Sequence, residues 1–170
     1  MEEYWDVYDE NREFTGKTIK RGEPFGENEF YVCCEVWIMN SQNRMLVTQR
    51  HPDKKAGGQW EFTGGGVLAG ESTLLAALRE VKEELGIGLD EAELKLHGVY
   101  KHRNYFMDIY VVKKDIKDED IVLDKNEVVD WKWLSGAEIE KIIEEEKMVH
   151  SVGIRYKMFP QVEELSGGGD

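Results

Sequence analysis

Three consecutive glycines, Gly64-Gly65-Gly66, stand just ahead of the most strongly helical segment of the chain. Glycines let the backbone approach a neighbour or a ligand closely, with carbonyl and N–H groups uncovered. Ser72 or Thr73 can cap the helix that follows. Leu74, Leu78, Val81 and Leu85 recur at helical spacing as one apolar stripe, and Gly86 supplies a stop. Glu80, Glu83 and Glu84 fall at i, i+3 and i+4, which groups them on a face roughly opposite Leu74, Leu78 and Leu85. Three carboxylates this close repel one another by a few tenths of a kcal/mol per exposed pair. A hard divalent cation relieves that repulsion. Mg²⁺ prefers oxygen ligands and keeps several waters, so it can also take phosphate oxygens. Arg79 is next in sequence and able to orient a carboxylate through a charge-assisted bond. Glu71 precedes the helix, where its free N–H groups and dipole favour negative charge.

The rest of the chain alternates strands and helices without a βαβ rhythm, so an α+β fold is expected rather than a doubly wound sheet. Two β-like stretches between Trp5 and Lys20, turning at Asp9-Glu10-Asn11, predict a hairpin within an N-terminal extension, 1–28. Strands are expected at Phe30–Met39, Arg44–Gln49 and Gln59–Thr63, with the glycines following the last. A second hairpin pairs Leu94–His102 with Tyr105–Lys113, and a further strand runs from Val128 to Leu134. Ser135 caps a helix over Gly136–Lys147, and Ser151–Leu165 is read as a third, shorter helix. Residues 166–170 read as a flexible tail on a single domain covering 1–165.

Apolar residues make up 41 % of the chain, enough for one sizeable core in 170 residues. A net charge of −13 argues against nucleic-acid polymers and anionic membranes as partners, because those contacts need clustered Lys and Arg. No run of about 18 apolar residues predicts a membrane helix. The acidic, aromatic start lacks the pattern of a signal peptide. Cys33 and Cys34 are adjacent, so in a strand they point to opposite faces and do not pair. They read as small core residues, and a cytoplasmic location is expected. His51, His97, His102 and His150 show no zinc spacing.

An isolated Glu-x-x-Glu-Glu is ordinarily a solvated helix face. The complete run is more restrictive: Gly65, five residues, Glu71, seven residues, Arg79-Glu80-Val81-Lys82-Glu83-Glu84-Leu85-Gly86-Ile87. Seven fixed positions at average usage give a chance match on the order of one in 10⁸ per window. The run resembles the Nudix box, here 65–87. The resemblance implies the Nudix fold, an αβα sandwich around a mixed sheet. It also implies a Mg²⁺-dependent hydrolase, with Mn²⁺ as a substitute, that cleaves a diphosphate linkage in a nucleoside diphosphate derivative or similar small molecule. Glu80, Glu83 and Glu84 would hold the metal together with the Gly64 carbonyl, and Glu71 and Arg79 would support them. Glu80, Glu83 and Glu127 are the catalytic candidates, Glu127 because it opens a late strand as Glu127-Val128-x-x-Trp131. Arg50, Trp60, Gly65 and Gly66 are expected to meet the substrate. A homodimer is left open.

A narrower resemblance covers Trp5-Asp6-Val7-Tyr8-Asp9-Glu10, Thr15-Gly16, Arg21-Gly22-Glu23, Val36-Trp37-Ile38-Met39-Asn40 and Leu46-Val47-Thr48-Gln49-Arg50, which are similar to Nudix proteins related to isopentenyl-diphosphate isomerase. The isomerase needs a cysteine where the chain enters the box, and metal-binding histidines. This chain has Thr63-Gly64-Gly65-Gly66 there, Cys33 and Cys34 lie a strand earlier, and the box is intact. Hydrolysis is therefore expected over isomerisation, and also over a non-catalytic nucleotide sensor, which need not retain every carboxylate.

Overall fold

The computed structural model describes residues 1–159. Residues 160–165 of the expected third helix and the expected tail at 166–170 lie outside them. The elements are β1 (Tyr4–Tyr8), β2 (Phe14–Lys20), β3 (Tyr31–Met39), β4 (Met45–Arg50), β5 (Trp60–Glu61), β6 (Thr63–Gly66), α1 (Thr73–Leu85), β7 (Lys95–Lys101), β8 (Tyr105–Lys113), β9 (Val128–Leu134), α2 (Gly136–Glu144) and α3 (His150–Met158).

β3 is the organising strand of a mixed seven-stranded sheet. It pairs in parallel with β8 from Tyr31↔Tyr105 to Met39↔Lys113. On its other edge it takes β6 antiparallel, and it meets β4 at Met39↔Met45. β4 carries β9 and β5, and β7 closes the far edge beside β8. Period-2 alternation sorts the side chains of β3 between two layers. Val32, Cys34, Val36 and Ile38 join Ala76, Ala77, Val81 and Leu85 of α1 in one core. Trp37 and Met39 join Ile139 and Ile142 of α2 and Val152 and Tyr156 of α3 in the other. The result is the expected α+β sandwich, with helices on both faces of a mixed sheet.

The N-terminal hairpin forms as expected, β1 against β2, with Arg12 at φ 64° in the turn. It is bolted to the body. Tyr8 and Phe30 exchange backbone bonds of 2.8 Å, and Ala69 N–H donates to Tyr4 O. Arg12 makes two 2.6 Å bonds to the buried carboxylate of Asp108 on β8.

Three expectations are corrected. The glycines do not merely follow a strand. Gly64, Gly65 and Gly66 pair with Glu35, Cys34 and Cys33 as β6. A Cβ on Gly64 would collide with the Cys34 carbonyl, so glycine is what permits the pairing. α2 ends at Glu144 rather than Lys147, because Glu146 turns with φ 56° and Lys147 O then accepts from Trp60 N. α3 starts at His150.

Glu35 and Arg155 form an ion pair between β3 and α3, each only 3 % exposed. Trp37 Nε1 also donates to Glu35, at 3.0 Å. Removing one partner leaves an uncompensated buried charge. Arg155→Met is expected to cost about 3–5 kcal/mol in urea denaturation, and the double change with Glu35→Leu to recover much of that loss.

Candidate active site

α1 places the acidic residues. Ser72 caps it by accepting from Leu75 N–H, and Gly86 closes it at φ 72°. Ala76 and Ala77 are fully buried, so the helix approaches β3 and β6 closely on that side. The rotation of the helix differs from the expectation. Glu84 does not lie opposite the core. It is 6 % exposed, on the flank beside the fully buried Ala77, while Glu83 is exposed and Glu80 is half-buried.

These carboxylates line a cleft of about 280 Å³. Its floor is the backbone of Gly64, Gly65 and Gly66. A Cβ on Gly65 would collide with the Glu80 carboxylate, so the strand and the acid lie in direct contact. Arg79 is the hub. Its Nε and Nη2 donate to Glu71, both at 2.9 Å. Nη1 donates to Glu80 at 2.8 Å and Glu83 at 3.2 Å, and Nη2 also reaches Gly66 O at 3.1 Å. Glu71 in turn accepts from Leu68 N–H at 3.0 Å. Burial opposes the ionisation of Glu71, but Arg79 and Leu68 outweigh it and the pKa falls.

Glu84 has no such support. Its Oε2 is buried without a hydrogen-bond partner. Burial first, then the charges of Glu61 and Glu80, push its pKa well above the usual carboxylate range. Burial also raises Glu80, moderated by Arg79. Among the described residues, no three His, Cys, Asp or Glu side chains stand in a closed metal cage, in keeping with the hold of Arg79 on Glu80 and Glu83.

Family models and relatives agree on what such a cleft belongs to. The model of the NUDIX domain matches residues 32–152. An uncharacterised Nudix hydrolase of Listeria monocytogenes is 37 % identical over 144 residues, covering 84 % of this chain and 85 % of that protein. The chain belongs to the Nudix family. An RNA pyrophosphohydrolase of Novosphingobium aromaticivorans is 30 % identical over 132 residues, covering 65 % of this chain and 81 % of that one. A crystal structure from Deinococcus radiodurans shares the Nudix fold with a TM-score of 0.79 at 21 % identity, covering 92 % of this chain and 98 % of that one. The chain is thus a Nudix hydrolase, an enzyme of the pyrophosphohydrolase class.

The Nudix cleft gathers the expected Gly64, Gly65, Gly66, Arg79, Glu80, Glu83, Glu84, Arg50 and Glu127, with Glu71 behind Arg79. Glu127 comes from the turn before β9 and forms an ion pair with Lys54, whose own pKa is lowered by burial and by Arg50. Arg50 is not a free phosphate ligand. It is spent on Glu61, with bonds of 2.9 and 2.8 Å, and on Lys55 O. Trp60 is not in the cleft. It is 8 % exposed in the core against α2 and α3, with Lys132 Nζ 4.0 Å from its ring centre. Alternation explains this. With Trp60 in the core, the next residue of β5, Glu61, must face the other way, and burial raises its pKa. Asp124, Glu3, Trp5 and Arg21 also line the cleft without having been singled out for it. Cys33 and Cys34 are far from the box in sequence yet pair directly with Gly66 and Gly65. Burial pushes the Cys33 thiol up to about 12 and raises Cys34 as well, so both stay protonated.

Because the folded pKa of Glu84 is raised, the native state holds a proton that the unfolded state releases. Metal-free stability therefore falls as pH rises from the ordinary carboxylate range toward the folded pKa. Glu84→Gln is expected to raise the melting temperature in EDTA at pH 7.5 and to flatten this pH dependence. Equal melting curves for variant and wild type at pH 7.5 would count against it.

Proposed function

We propose that this Nudix hydrolase is Mg²⁺-dependent, with Mn²⁺ able to substitute. It cleaves the diphosphate linkage of a small-molecule diphosphate, a nucleoside diphosphate derivative or a similar compound. The observation that carries the reading is the unpartnered buried oxygen of Glu84 beside Glu80, over a floor of glycine backbone. Burying a carboxylate without a partner is costly, and a hard cation with oxygen ligands is the group that offsets it. Glu80, Glu83 and Glu84, with the Gly64 carbonyl, would hold it. Once bound, Mg²⁺ supplies neutralisation of the phosphate oxygens and a more acidic water.

The chain's own residues do the rest. Arg79 bridges Glu80 and Glu83 through Nη1 and ties both to Glu71 and Gly66 O. The attacking water bonds to phosphorus as the bridging P–O bond breaks, and the water's proton passes to a carboxylate. Glu80 and Glu127 both line the cleft and are the candidates. Lys54 pairs with Glu127 and positions it at the edge of the cleft. The named activities of relatives point the same way, an RNA pyrophosphohydrolase and an 8-oxo-dGTP diphosphatase among them.

Glu83→Gln and Glu84→Gln are each expected to lower Mg²⁺-dependent turnover of nucleoside diphosphate derivatives by about a hundredfold or more. Mg²⁺ should also raise the melting temperature of the wild type more than that of either variant. Hydrolysis in ¹⁸O-water, with mass spectrometry of both products, identifies the phosphorus attacked. A wild type that turns over no diphosphate with Mg²⁺ or Mn²⁺ would sink the proposal.

A further inference from the structure

Arg21, on the turn that follows β2 of the N-terminal hairpin, differs from the other cations around the cleft. Arg79 is bound to Glu71, Glu80, Glu83 and Gly66 O. Arg50 is bound to Glu61 and Lys55 O, and Lys54 is paired with Glu127. Among the described residues Arg21 makes one side-chain bond, from Nη1 to Glu3 at 2.6 Å, and its guanidinium lies 5.9 Å from the ring centre of Trp5. A guanidinium carries five N–H donors, so most of its capacity is uncommitted. The side chains of Arg21 and Glu3 are 58 % and 39 % exposed, and an ion pair so exposed contributes little and rearranges cheaply.

Its position is as distinctive as its bonding. Beside the catalytic cleft lies a second cavity of about 360 Å³, reaching Tyr31, Cys33, Met107, Val149 and Arg155. Trp5 and Arg21 line both cavities, together with Arg50 and the three glycines. Trp5 is wedged in place. It stacks on Tyr31 with ring centres 4.8 Å apart, and a Cβ on Gly66 would come within 2.9 Å of its ring. The hairpin itself is fixed by Arg12–Asp108 and by the Tyr8–Phe30 bridge. A rigid element thus carries an under-used guanidinium to the junction between the acidic cleft and its neighbour.

We propose that Arg21 is a substrate-positioning residue that clamps the phosphate farther from the box carboxylates, in a diphosphate whose second group occupies the adjoining cavity. Planar, bidentate recognition of phosphate oxygens is what a guanidinium does best. Glu3 is its resting counter-ion and yields it to the substrate. The inference rests on the diphosphate-hydrolase reading, but a binding measurement tests it separately.

Imidodiphosphate, which resists cleavage, serves as the probe in isothermal titration calorimetry with Mg²⁺, and steady-state kinetics on a hydrolysed nucleoside diphosphate derivative runs alongside. Arg21→Ala is expected to weaken probe affinity and raise KM by about tenfold or more, with kcat within about threefold and an unchanged melting temperature. Arg21→Lys should recover part of the loss, because it keeps the charge and not the fork. Glu3→Gln should lower KM, since it removes the competitor for Arg21. Wild-type affinity and KM in Arg21→Ala would overturn the clamp, as would a Glu3→Gln variant as impaired as Arg21→Ala. If the probe binds in an Arg21-dependent way and no diphosphate is hydrolysed, the clamp stands and the hydrolase reading fails.

Discussion

One guanidinium ties together three pieces of chain that would otherwise be independent. Arg79 bonds Glu71 in the loop before α1, Glu80 and Glu83 on α1 itself, and the carbonyl of Gly66 on β6. Loop, helix and strand are thereby held in one geometry. Glu71 stays ionised because Arg79 and the Leu68 N–H are there, and Arg79 is itself held firmly protonated, by Glu71 above all. Glu84 stands outside this network, and burial with the charges of Glu61 and Glu80 outweighs the opposing pull of Lys54 and Arg50. The cleft therefore combines a satisfied half, which sets geometry, with a frustrated half, which sets the demand for a counter-charge. Neither half alone would make a reactive site. Perturbed carboxylates cluster at functional sites for this reason.

Much of the fold was legible in the sequence because its signals are local. Ser72, the Leu74–Leu85 spacing and Gly86 mark out α1 to within a residue, and the turn residues mark the hairpins. Tertiary demands account for the departures. Gly64–Gly66 look like a loop by composition, yet they pair with β3 because that edge has room only for residues without side chains. The heptad-like stripe on α1 points to the core but says little about how far the helix is rotated. Ala76 and Ala77, small enough for close approach, turn Glu84 inward.

The site was legible where it is contiguous and obscure where it is assembled. The box residues arrive together on one segment. Glu61 was within reach of the alternation of β5, given Trp60 in the core. Asp124 and the hairpin residues Glu3, Trp5 and Arg21 reach the cleft only through long-range packing. Cys33 and Cys34 make the same point in reverse. A separation of thirty-odd residues shrinks to a direct strand pair once β6 forms, and only burial, which keeps the thiols protonated, separates them from chemistry.

The parallel pairing of β3 with β8 also bears on how the enzyme comes into being. Partners such as Tyr31 and Tyr105 are roughly 70 residues apart in sequence, so this pairing closes a large loop and belongs to the slow class of folding contacts. The box lies wholly inside that loop. During synthesis the ribosome releases β6, α1 and Arg79 with its carboxylates well before β8 exists to flank β3. Until then the apolar stripe of α1, with Val81 and Leu85 at its centre, lacks the β8 part of the layer it packs against, so the finished cleft waits on that long-range pairing.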